Sequence, residues 1–173
     1  MREFHRRSLR LRSYDYSQAG AYFITICVQH RICLLGTIED EVIHLNAAGQ
    51  AIQSGWERLP SKFSPVSCDA MVVMPNHIHG ILLLSHESQD PGSLDNPVTL
   101  GDAMQWFKTM TTNEYMQGVK NQGWAPFPGR LWQRNYYEHI IRNDNDLDRI
   151  RAYIDANPSR WATDAENPEC LLP

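Results

Sequence analysis

The chain has 173 residues, 42% of them hydrophobic, and 16 Lys and Arg stand against 20 Asp and Glu for a formal charge of −4. That length suffices for one buried core and predicts a single domain. The acidic balance excludes a large nonspecific duplex-binding surface, which needs clustered Lys and Arg, but leaves room for a local basic groove.

No apolar stretch approaches membrane-spanning length, and no apolar segment of signal-peptide type follows the basic start. Arg2, Arg6, Arg7, Arg10 and Arg12 crowd that start, with Glu3 alone against them. Residues 1–18 read as a basic arm, either a nucleic-acid contact or a solubilising terminus. Residues 19–163 read as the domain and 164–173 as an acidic tail.

Tyr22 to Val28 is rich in β-branched and aromatic residues and predicts a strand. Cys33 to Leu45 reads as a small hairpin around Glu39-Asp40. Asn46 caps a helix whose Ala48, Ile52, Trp56 and Leu59 keep helical spacing, against the weakening effect of Gly49 and Gly55. Pro60 to Pro65 reads as a connector. Ala70 to Met74 is a strand that turns at Pro75-Asn76 into a second, His77 to Leu84. The polar stretch His86 to Asn96 predicts a loop.

Thr99 and Asp102 form a capping box that opens a helix through about Tyr115, with Leu100, Ala103, Phe107 and Met110 inward. Trp106 and Phe107 read as core rather than as base-stacking surfaces. Gly118 to Gly129 is a loop, and Leu131 to Ile141 a strand. A last helix, capped by Asp144 or Asn145, buries Leu147, Ile150 and Ile154 and stops at Pro158. Without the hairpin and the last helix, the order is strand, helix, strand, strand, helix, strand. That is the ferredoxin-like α+β plan, an antiparallel sheet with helices packed on it.

Two pairs of side chains carry chemistry. His77 and His79 alternate around Ile78, so they project to one face of a strand. They either grip one cation or ride on a half-exposed strand. Tyr153 and Asn157 are four apart and share a helix face. They suit a nucleophile beside an oxygen ligand, or equally a boundary tyrosine with an asparagine that stops the helix.

Three segments taken together resemble the single-tyrosine HUH transposases, named for two histidines around an apolar residue. The branch they resemble most is associated with repetitive extragenic palindromes in bacteria. The matching residues are Met74-Pro75-Asn76-His77-Ile78-His79-Gly80-Ile81, Trp132 through Arg142, and Tyr153-Ile154-Asp155-Ala156-Asn157-Pro158. Phe107-Lys108-Thr109 is similar to the family's middle helix. Asn157 stands where family members often carry glutamine, a longer ligand.

The resemblance implies a ferredoxin-like fold whose C-terminal helix lays Tyr153 across the histidine pair. It implies cleavage and rejoining of single-stranded DNA near hairpins and palindromic repeats. Tyr153 would attack a phosphodiester, leaving a 5′-phosphotyrosine and a free 3′-hydroxyl. His77, His79 and Asn157 would hold a divalent metal, Mn²⁺ or Mg²⁺, as the Lewis acid. Monomer and homodimer both occur in the family.

Tyr136 and Tyr137 are rival tyrosines whose strand context reads as core or DNA contact. His139 reads either as a support behind the site residues or, more readily, as a core histidine. Arg134 and Arg142 read as phosphate contacts or as surface ion pairs of little weight. Two rivals from other classes are a noncatalytic DNA-binding protein of the same fold and an unrelated hydrolase using a histidine-bound metal. Cys27, Cys33, Cys68 and Cys170 form no close pair, which speaks against a zinc ribbon and fits a reducing cytoplasm, where the resemblance implies a nucleoid-associated protein.

Overall fold

The computed structural model describes residues 19–85 and 97–168. The arginine arm, the expected loop His86 to Asn96, and Cys170 lie outside these residues.

Four strands form the main sheet. They are β1 (Gly20–Cys27), β4 (Val66–Val73), β5 (His77–Leu84) and β6 (Tyr137–Ile141), in the spatial order β4-β5-β1-β6. Every pairing is antiparallel. The remaining strands, β2 (Gly36–Glu39) and β3 (Val42–Leu45), make the expected separate hairpin. Helices α1 (Ala47–Glu57), α2 (Leu59–Lys62), α3 (Leu100–Gln122) and α4 (Asp144–Asp155) complete the chain. With the hairpin, the short α2 and α4 set aside, this is the ferredoxin-like plan and its strand order.

The alternation along β1 sorts the two layers. Tyr22, Ile24 and Ile26 face one side, where Ile78 and Leu82 of β5 meet Ile52 and Trp56 of α1 and Phe107 of α3. Phe23 faces the other side and joins Ile81, Ile141, Ile150 and Ile154 in a smaller cluster under α4. β5 is therefore buried on both faces, which explains its nearly unbroken apolar run. Gly80 is required within it. A Cβ there would stand 2.4 Å from Cζ2 of Trp56, so the indole can close over the strand only where no side chain exists.

Several boundaries differ from the sequence reading. Asn143, rather than Asp144 or Asn145, caps α4 and accepts from the Asp146 N–H at 2.9 Å. Asp144 and Asp146 then fall in the first turn, where carboxylates favour the helix dipole. α3 continues two turns past Tyr115 because Gly118 is not a breaker there: Trp124 packs directly on its missing side chain. The helix ends at Gly123, whose φ of 72° is the left-handed cap conformation.

β4 starts four residues early, with an irregularity between Cys68 and Met71, and the start of the expected connector, Pro60 to Lys62, is helical as part of α2. β6 is only five residues long. Its expected beginning contributes one bridge, Trp132 to Val28, and Lys108 then holds the chain off the sheet by donating to the carbonyls of Gln133 and Arg134. Pro158 does end α4, but it also opens a 3₁₀ segment, Pro158–Thr163. No helix among the described residues is long and apolar enough to cross a membrane.

Candidate active site

The face of the sheet under α4 collects the polar residues. The register sets His79 opposite Thr25 of β1, and Thr25 opposite Tyr137 of β6. Directly paired residues share a face, so His79, Thr25 and Tyr137 make a row across three strands. His77, two residues before His79, joins it. Both histidines are buried, at 0% and 4% exposure. Their Nε2 atoms lie 3.1 Å apart.

The tautomers follow from the surroundings. The side-chain amide of Asn76 donates to the carbonyls of Arg31 and Glu166, at 2.9 and 2.7 Å. Its Oδ1 is thereby left to accept from Nδ1–H of His77 at 2.9 Å. The Nε2 of neutral His77 then carries a lone pair. His79 places Nδ1 at 2.8 Å from the Thr25 hydroxyl, which can donate or accept. When Thr25 donates, Nε2–H of His79 points at the lone pair of His77. When Thr25 accepts, two lone pairs face each other and a cation is the natural partner.

Burial pushes the His77 imidazole below its ordinary pKa, against the pull of Asp164 and Glu166. Burial, reinforced by His77, pushes His79 down to about 3. Both rings are held neutral, the form that binds metals.

α4 brings the other pair. Leu147, Ile150 and Ile154 pack against the sheet as their spacing predicted. The hydroxyl of Tyr153, a residue 38% exposed, comes within 3.4 Å of Nε2 of His79. The ring stands edge-on to Phe23, which in turn stacks on His79. Asn157 keeps helical φ and ψ just beyond α4 and is 1% exposed. Its Oδ1 is buried with no hydrogen-bond partner among the described residues. The Asn157 amide is close enough to His77 to favour the protonated ring.

His77, His79, Tyr153 and Asn157 thus converge. No three His, Cys, Asp or Glu side chains gather at one point among the described residues, so a metal here would take two nitrogens and an amide oxygen. Two nitrogens on adjacent corners of an octahedral ion bound at about 2.1 Å stand about 3.0 Å apart, close to the spacing found. The Cys27 thiol stands on the same face, but burial and Glu166 push it up to about 12, which keeps it protonated.

The remaining candidates scatter. Arg2, Arg6, Arg7, Arg10 and Arg12 lie outside the described residues. Arg134 is exposed and lines a groove of about 480 Å³ with Lys108 and Tyr136, on the side of β6 away from the histidines. Arg142 is exposed just past β6. His139 is not a core histidine. It is half-buried and its Nε2 meets Asp146 of α4 at 2.9 Å, because it shares the α4 face with Tyr137. Sequence reasoning missed Thr25, Phe23 and Glu166. Nothing local marks Thr25 or Phe23, which matter only through strand pairing. Asn76 reads from the sequence as a turn residue next to His77, and its side chain orients that ring.

Comparison with known proteins identifies the family. A Haemophilus influenzae protein without an assigned function is 36% identical over 165 residues, covering 92% of each chain. A second protein of that organism, provisionally named a REP-associated tyrosine transposase, is 30% identical over 145 residues, covering 83% of this chain and 73% of its own. The chain belongs to the REP-associated tyrosine transposase family. An Escherichia coli REP-associated tyrosine transposase is 25% identical over 143 residues, covering 83% of this chain and 68% of its own. No protein-family model matches. Among solved structures, a REP-associated tyrosine transposase bound to a REP hairpin superposes with a TM-score of 0.60 at 22% identity. The match covers 89% of this chain and 74% of that one and supports a common transposase fold.

Proposed function

We propose that this REP-associated tyrosine transposase relative cleaves and rejoins single-stranded DNA beside hairpin-forming repeats, with Tyr153 as the nucleophile. The observation that carries the reading is the Tyr153 hydroxyl 3.4 Å from Nε2 of His79, itself 3.1 Å from Nε2 of His77. A half-exposed phenol beside two buried imidazoles supports attack on a phosphate bound at the open side of the site. The hairpin-bound neighbour supports DNA hairpins as the partner.

In the reaction, Oη of Tyr153 forms a bond to phosphorus and the P–O3′ bond breaks. The phenolic proton goes to solvent and the departing 3′-oxygen takes one up, leaving a 5′-phosphotyrosine and a 3′-hydroxyl. The new ester conserves the bond energy, so a 3′-hydroxyl can reverse the step and rejoin DNA. Phe23 and the Ile150–Ile154 contacts fix the helix that aims the phenol.

The lone pairs of His77 and His79 and the unsatisfied Oδ1 of Asn157 would hold a divalent cation of the Mn²⁺ or Mg²⁺ type. Bound there, it would supply Lewis-acid stabilisation of the charge that develops on the phosphate oxygens. Thr25 adapts to either state of the pair by giving or taking a hydrogen bond at His79.

The test is incubation with single-stranded DNA copied from the flanks of the chain's own coding sequence, followed by a denaturing gel. A covalent protein–DNA band is expected from the wild type and none from Tyr153→Phe, which removes one oxygen and keeps the ring. A band of full strength from Tyr153→Phe, with loss in Tyr136→Phe or Tyr137→Phe, would falsify the assignment.

A further inference from the structure

Among the described residues Tyr137 is one of four large apolar side chains left in solvent, at 57% exposure, and it sits beside the candidate active site. It opens β6, an outer strand of the sheet, where one backbone edge is unpaired. Its exposure is not looseness. The register fixes it opposite Thr25, whose hydroxyl meets His79. Its ring stands edge-on to Phe23, with centroids 6.3 Å apart. Phe23 stacks on His79 and meets Tyr153 edge-on. Tyr137 is thus the outermost member of an aromatic row that begins at the histidine pair. One edge of the ring rests on Phe23, and more than half of the residue faces outward.

We propose that Tyr137 is a stacking platform for one nucleobase of single-stranded DNA, the base adjoining the phosphate that Tyr153 attacks. The inference rests on the reading of this site as a strand-cleaving one. Two strand spacings of about 4.8 Å separate Tyr137 from His79 along the row. That places the ring within reach of a nucleotide neighbouring a phosphate bound at the histidines. An exposed, pre-oriented aromatic ring at the end of a buried site is what a single strand engages, because every base offers a π-face. Inside a duplex these faces are covered by the neighbouring base pairs, so this platform favours unpaired DNA. A tyrosine buried for packing would instead have shown little exposure, as Tyr22 and Tyr115 do.

The experiment uses the full chain carrying Tyr153→Phe, so that DNA is bound and not cut. Hairpins with a mixed-sequence single-stranded extension carry 2-aminopurine at successive positions of that extension, and fluorescence quenching reports stacking at each. One position, or two neighbouring ones, should be quenched. The quench should vanish in Tyr137→Ala and Tyr137→Leu and return in Tyr137→Phe and Tyr137→Trp. Affinity for the single-stranded extension should fall about tenfold in Tyr137→Ala, while affinity for blunt duplex stays unchanged. Two unrelated replacements guard against one misfolded variant, and the aromatic pair separates stacking from the hydroxyl's hydrogen bonding. Quenching that survives both Tyr137→Ala and Tyr137→Leu, or no quenched position in the parent, overturns the platform. If the wild type forms a covalent adduct while Tyr137 proves silent, only the platform fails. If no adduct forms although quenching depends on Tyr137, the cleavage reading fails and a single-strand binding site remains.

Discussion

Replacing Gly80 by alanine tests how the histidine floor is held. An added Cβ would lie 2.4, 2.9 and 3.0 Å from Cζ2, Cη2 and Cε2 of Trp56. Ordinary carbon contacts begin near 3.5 Å, so the overlap is about 1 Å. Trp56 cannot swing away, being 1% exposed and set edge-on against Phe107 at 5.5 Å. The strand cannot recede either, since β5 is bonded to β1 on one side and β4 on the other. Overpacking of this kind costs about 1–3 kcal/mol. With a urea m-value of about 2 kcal/mol/M, the unfolding midpoint should fall by roughly 0.5–1.5 M. Because Gly80 adjoins His79, covalent adduct formation should drop more than stability alone explains. Trp56→Phe removes part of the clashing ring, and adding Gly80→Ala in that background should cost clearly less than in the wild type. A neutral Gly80→Ala, or a cost that is the same in both backgrounds, refutes the argument that the indole is what forbids a side chain.

Two further outcomes follow. Mn²⁺ at a hundredfold excess over its dissociation constant should stabilise the protein by about 2.7 kcal/mol, or roughly 5–10 °C in a thermal melt. His77→Ala and His79→Ala should each abolish that shift and DNA cleavage together, and a shift retained in either would remove that histidine from the site. The Asp69 carboxylate takes two hydrogen bonds from Arg151 of α4, at 2.8 and 2.7 Å, which hold its pKa below the usual carboxylate range. A depressed acid stabilises the fold above its unfolded pKa, and that contribution is lost as pH falls through the folded value. Wild type should therefore lose more thermal stability than Asp69→Ala on acidification below about pH 4, and parallel curves would show the pair to be inert.

The parts of this site that were legible are those whose signal is local. His77 and His79 share a face by the period of a strand, and Tyr153 and Asn157 share one by the period of a helix. Apolar spacing also identified the buried side of α4, Leu147, Ile150 and Ile154. What could not be read is pairing. Thr25 becomes the partner of His79 only when β1 lies antiparallel to β5 in one register, and no residue near Thr25 specifies that register. His139 was misjudged for the same reason, since its partner Asp146 comes from an element that folds back over the sheet. The α3 boundary failed differently. Gly118 has poor helix propensity, and the tertiary contact with Trp124 that overrides it is invisible in the intervening residues.

The two apolar clusters divide the site between different levels of stability. The strand that carries the histidines contributes Ile78 and Leu82 to the larger cluster, so displacing His77 and His79 means disrupting the principal core. The helix that carries Tyr153 contributes two buried residues, Ile150 and Ile154, and the partly buried Leu147 to the smaller one. Segments secured by few buried contacts open at lower free energy than the whole protein unfolds. Amide hydrogens of α4 should therefore exchange with solvent well before those of β1 and β5. The histidine pair should persist through such an opening while Tyr153 comes and goes, so under the proposed reading a strand could be admitted beneath the helix without the fold being lost.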